Sequence, residues 1–170
     1  MNPRRQFLHV GAALGATLLL RPLQAQTPAE APLPPVPKRP PPLAPDLVKE
    51  FVFAAHGDLA KTQAMLTAQP GLLNATWDWG GGDYETALGG ASHIGRRDIA
   101  QHLLQQGARP DVFVLAMLGD LEAVKAIIAA RPEALRCPGP HGIPLIAHAE
   151  KGGAPAAAVV DHLRRLGAAG

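Results

Sequence analysis

Apolar positions between Asp46 and Gly170 follow a helical rhythm that is written about four times over. Leu47, Val48, Phe51, Val52 and Ala55 share one face of a 3.6-residue period, and Leu59, Thr62, Met65 and Leu66 form a second stripe ending before Pro70. The pattern returns in Thr86 to Ser92 followed by Asp98 to Leu104. It returns again in Asp111 to Leu118 followed by Leu121, Val124, Ile127 and Ile128. The last pair is Ile143 to Ala149 followed by Val159, Val160, Leu163 and Leu166. Small turns split each pair: His56-Gly57-Asp58-Leu59, Arg96-Arg97-Asp98-Ile99, Leu118-Gly119-Asp120-Leu121 and Gly152-Gly153-Ala154-Pro155. Asp46 and Asp58 stand where N-caps are expected, glycines stand where helices stop, and Pro155 falls in the first turn of the last helix.

No apolar run with strand alternation reaches a useful length, so the expected class is all-α, built from helix–turn–helix pairs. Repetition at roughly 30 residues implies stacked units, none of which buries its apolar face alone. Thr86-Ala87-Leu88-Gly89-Gly90-Ala91, Gly142-Ile143-Pro144-Leu145-Ile146-Ala147-His148-Ala149, Leu103-Leu104-Gln105-Gln106-Gly107-Ala108 and Leu166-Gly167-Ala168 carry a further likeness. They resemble the ankyrin repeat family, whose units open on Gly-x-Thr-Pro-Leu-His-x-Ala and close on Leu-Leu-x-x-Gly-Ala. The resemblance implies a solenoid of about four units, at about 46–77, 78–109, 110–138 and 139–170, with hairpin-like fingers and a concave helical face. The first unit lacks the opening motif, and the third has only Asp111-Val112-Phe113-Val114-Leu115-Ala116 in its place. Members of the family usually bind proteins and rarely catalyse.

One segment breaks the rhythm. Both tryptophans and the one tyrosine lie in Trp77-Asp78-Trp79-Gly80-Gly81-Gly82-Asp83-Tyr84. By the resemblance this is an enlarged finger, glycine-rich at its tip. Trp and Tyr bury much area for little entropy, which suits a contact surface. Trp77 and Trp79 share a face if the finger is extended. The expected protein-binding residues are Trp77, Asp78, Trp79, Asp83, Tyr84 and Glu85, with His93 and His141 beside them. The competing expectation is that the aromatics fold back as a local core.

The start of the chain has another character. Arg4 and Arg5 precede Phe7-Leu8 and an apolar run from Val10 to Leu20. A charged start, a short apolar run and a small residue at Ala25 read as an export signal over 1–25, expected to be cleaved. Arg-Arg-x-Phe-Leu resembles a twin-arginine signal, which implies a periplasmic or secreted protein. Residues 26–45 form a Pro-rich linker that cannot build a core. The chain carries 16 basic and 14 acidic residues. The segment 1–25 holds three of the basic ones and no acid, so the rest is close to neutral. Without a basic patch, nucleic acid is not an expected partner.

Catalytic signatures are missing. There is no His-Glu-x-x-His, Cys-x-x-Cys, Gly-Lys-Ser/Thr loop or Gly-x-Ser-x-Gly, and Cys137 is alone. His93, His141, His148 and Asp83 are the residues that could converge on one surface. The sequence therefore points to a monomeric, non-enzymatic interaction scaffold of the cell envelope, with no catalytic residue, metal ligand or cofactor assigned. The alternatives are a metal-binding protein or enzyme using a His/Asp cluster, and an envelope element anchored by an uncleaved N-terminus.

Overall fold

The computed structural model describes residues 40–168. The signal residues Arg4, Arg5, Phe7 and Leu8 and most of the linker lie outside them. Eight α-helices, four short 3-10 turns and one small hairpin make up the regular structure of the described residues: α1 (Pro45–Ala54), α2 (Leu59–Ala68), β1 (Thr76–Asp78), β2 (Tyr84–Thr86), α3 (Ala87–Ile94), α4 (Arg97–Gln105), α5 (Val112–Leu118), α6 (Leu121–Ala130), α7 (Leu145–Lys151) and α8 (Ala157–Arg165). The mostly helical class agrees with the sequence. The two strands, three residues each, are the part that strand alternation is too short to reveal.

Helix starts follow local chemistry. The side chains of Asp58, Thr86, Asp111 and Asp120 accept backbone N–H groups at the first turns of α2, α3, α5 and α6. Asp46 does not cap α1. Pro45, with its ring-fixed φ, already occupies the first helical position, so Asp46 lies inside the first turn. Pro155 likewise sits in a short 3-10 turn, Ala154–Ala156, that leads into α8. Gly95 and Gly119 end α3 and α5 in the left-handed conformation, with φ of 86° and 80°.

Helices α1, α3 and α5 pack side by side, α7 packs on both α5 and α3, and α2, α4, α6 and α8 each cover the helix before them. Phe51, Val52, Leu72, Leu88, Ile99, Leu103, Val114 and Met117 fill one part of the core. Val124, Ile128, Leu145, Ile146, Val159 and Leu163 fill the other. Adjacent pairs are also tied by polar contacts. The Arg97 guanidinium donates to the carbonyls of Met117 and Leu118, both at 3.0 Å, satisfying the open C-terminal end of α5.

Candidate functional site

The β1–β2 hairpin aligns Trp77 with Glu85 and Asp78 with Tyr84. Side chains alternate across a strand, so Trp77 and Glu85 share one face, and Asp78 and Tyr84 the other. The first face is turned to α1. Trp77 is half-buried there, with Lys49 Nζ 5.5 Å from its ring centroid. The second face is open, and Tyr84 is 63% exposed. At the tip, Asp78 accepts the N–H groups of Gly80 at 2.8 Å and Gly82 at 3.1 Å. Gly80, Gly81 and Gly82 all have positive φ, which explains three glycines in a row.

Glu85 forms the floor of the site. It is 1% exposed, so it cannot contact a partner as the sequence suggested. Trp79 directs its indole N–H at Glu85 Oε2, 2.8 Å away. Three imidazoles close around the same carboxylate. His56 follows α1, His93 is on α3, and His141 lies in the turn before α7. His56 Nε2 is 3.3 Å from Glu85 Oε2, His93 Nε2 is 3.0 Å from Oε1, and His141 Nε2 is 3.5 Å from Oε2. The Nε2 atoms of His56 and His93 are themselves 3.0 Å apart.

The outer nitrogens are held as well. His56 Nδ1 donates to the Val52 carbonyl at 2.9 Å. His141 Nδ1 donates to Asp83 Oδ2 at 2.7 Å, and its backbone N–H donates to Asp83 Oδ1 at 2.8 Å. That double grip holds His141 at a φ of 59°, uncommon for a residue with a Cβ. With Nδ1 committed as donor, a neutral imidazole keeps its lone pair on Nε2, aimed into the cluster.

Charge follows this geometry. Burial alone would raise Glu85, but hydrogen bonds from His56, His93 and Trp79 outweigh it and bring it down to about 2. The hydrogen bond to Glu85 raises His56 against the opposing effect of its own burial. Asp83 is lowered by the His141 backbone N–H and ring. Glu85 Oε1 is nonetheless buried with no well-directed hydrogen bond, and His93 Nε2 lies 3.0 Å from both it and His56 Nε2.

Two glycines make the room. Gly89 and Gly90 lie inside α3, where glycine costs about 1 kcal/mol relative to alanine. A Cβ on Gly90 would lie 2.7 Å from His56 Cε1, and one on Gly89 would lie 3.3 Å from Glu85 Cγ. His148 is fully buried just behind, its Nδ1 3.0 Å from Ser92 Oγ and its Nε2 without a partner. It is not among the donors that meet at the carboxylate, so of the four residues expected to converge only His93, His141 and Asp83 do so.

His56, Glu85, His93 and His141 offer one ligand atom each, all within 4.8 Å of one another. Among the described residues this is the set that could hold a cation. The sequence expectation therefore needs redrawing. Trp79, Glu85 and His93 turn their polar atoms inward, and Asp83 is spent on His141. Trp77 keeps part of one edge free, and Asp78 and Tyr84 remain on the outer face. His56 was not foreseen. The glycine pair inside α3 was the available signal that a bulky group packs there. A groove of about 430 Å³ runs beside the finger, lined by Asp83, Tyr84, Asp111, Phe113, Pro138 and Pro140. No protein-family model matches the chain, and no curated protein or solved structure matches it.

Proposed function

We propose that the protein is an ankyrin-type interaction module of the bacterial envelope that binds a protein partner at its finger and the adjoining groove. The observation that carries this reading is the groove itself. It crosses residues of the finger, the start of α5 and the turn before α7, and the exposed Tyr84 forms part of its wall. A partner segment laid there would meet three successive units, which is what a stack of short repeats offers. The hairpin arrives preorganised, with its tip fixed by Asp78 and Asp83 and its second strand by Glu85, so little conformational entropy is lost on contact. The solenoid description and the roughly four repeat boundaries belong to the same proposal. So does twin-arginine export to the periplasm or beyond. Among the described residues no helix is long and apolar enough to cross a membrane.

The test is affinity capture from periplasmic extract with the full chain carrying an aromatic photo-crosslinker in place of Phe113, which lines the same groove, with Tyr84 intact or as Tyr84→Ala. A single protein crosslinked at position 113, and lost when Tyr84 is truncated, is the expected result. Equal capture by both forms, with no crosslink in the groove, would overturn it.

A further inference from the structure

The cluster beneath the finger is arranged poorly for a structural ion pair. Two carboxylate oxygens face three imidazole Nε2 atoms and one indole N–H. A carboxylate has about four acceptor sites, so four donors could satisfy it, but buried polar groups are costly unless each is well paired. Here the His56 and His93 nitrogens crowd to 3.0 Å, and the buried Glu85 Oε1 is left without a directed donor. Both faults disappear if one cation stands at the common centre.

We infer that His56 Nε2, His93 Nε2, His141 Nε2 and Glu85 Oε1 form a four-coordinate site for a zinc-class divalent cation. Zinc bonds of about 2.0–2.1 Å place tetrahedral ligand atoms roughly 3.4 Å apart. His56 and His93 Nε2, and His93 Nε2 and Glu85 Oε1, are each 3.0 Å apart, and one donor atom from each of the four residues lies within 4.8 Å of all the others. Small rotations of the rings therefore suffice. Three imidazoles with one carboxylate suit zinc and its neighbours rather than calcium or magnesium.

The surroundings fit as well. Metal-bound histidines give their other N–H to a carbonyl or carboxylate. His56 gives it to the Val52 carbonyl and His141 to Asp83. Trp79 occupies Glu85 Oε2, which leaves Oε1 as the oxygen without a partner. Glu85 and Asp83 together cancel the charge of a divalent ion. Side-chain exposure rises from none at Glu85 and 10% at His93 to 31% at His141, so the ion enters past His141. Four protein donors close the coordination sphere and leave no position for a reacting water, which makes this a holding site rather than a hydrolytic one. The ion would tie α1, the hairpin, α3 and the turn before α7 into one joint. It stands whether or not the finger binds a partner.

The test uses the full chain stripped with chelator and titrated with zinc chloride, with stoichiometry read by native mass spectrometry. One zinc per chain is expected, with binding lost in His93→Ala and in Glu85→Gln. Asp83→Asn should keep the stoichiometry and weaken binding by about 10–100-fold. Circular dichroism checks that each variant is folded. Cobalt loading of the unaltered chain needs no variant at all, and strong visible bands of four-coordinate Co²⁺ are expected. Substoichiometric zinc, zinc held undiminished by folded His93→Ala, or the weak spectrum of six-coordinate cobalt would each overturn the site.

Discussion

Replacing Gly90 with alanine separates the ordinary behaviour of a helix from the demands of this site. In a free helix the change stabilises by about 1 kcal/mol. At position 90 the new methyl would stand 2.7 Å from His56 Cε1 and 2.9 Å from its Nδ1. The ring is held by Val52 on one side and Glu85 on the other, so it cannot swing aside without breaking a bond. Overpacking costs about 1–3 kcal/mol, and loss of a hydrogen bond involving a charged group about 1.5–3 kcal/mol. Set against the helical gain, Gly90→Ala should destabilise by about 2 kcal/mol, measured by urea unfolding in chelator. The same change made in a His56→Ala background should stabilise by about 1 kcal/mol, because the obstructing ring is gone. The expected coupling between the two positions is therefore about 3 kcal/mol, at the upper end for residues in contact. If Gly90→Ala costs as much without the ring as with it, the reasoning that ties the glycine to the site is refuted.

Other perturbations read other joints. His148 is buried, and its burial, followed by repulsion from His93, takes its pKa down to about 4 despite the attraction of Glu85. The unfolded chain binds a proton near pH 6.5 that the folded chain refuses until about pH 4. Stability on the order of 3 kcal/mol is thus present above pH 6.5 and is lost as pH falls through that window. Acid titration of the metal-free protein should show this loss, and His148→Gln should flatten it. A Cβ on Gly152 would lie 2.0 Å from the Met117 carbonyl oxygen, so Gly152→Ala should cost more than about 3 kcal/mol in chemical denaturation. Neighbouring Gly153 has open space, but its φ of 65° and ψ of −148° lie in a region that is essentially reserved for glycine, so Gly153→Ala should cost about 1–3 kcal/mol through backbone strain alone. Arg97→Leu removes two bonds to the end of α5 and should cost about 2 kcal/mol, visible as a lower denaturant midpoint with unchanged slope.

Much of the helical frame was legible because each signal is local. Asp58, Asp111 and Asp120 sit in the residue order that puts a carboxylate over the first free N–H groups, and that geometry needs no tertiary contact. Asp46 misled because a proline one residue earlier takes over the start of the helix. The finger was visible as an excess of glycine and aromatic residues. Its facing was not, since the inward turn of Trp79 and Glu85 depends on α1 lying alongside. The cluster was the least legible part. Its four donors come from positions 56, 85, 93 and 141, and no spacing along the chain encodes their meeting. Only packing of α3 against α7 and of the hairpin against α1 brings them together.

The hold of Asp83 on His141 has a consequence for how the molecule comes apart. A row of helix pairs that touch only their immediate neighbours can shed its last pair and leave the rest intact, as a zipper opens from one end. In this protein Asp83 and His141 are 58 residues apart, and Ser92 and His148 are 56 apart. Each bond reaches over the α5–α6 pair. Peeling off α7 and α8 therefore disturbs the second pair as well as the third. Melting is then expected to be concerted across the described residues, and the C-terminal pair is no detachable cap but a keystone.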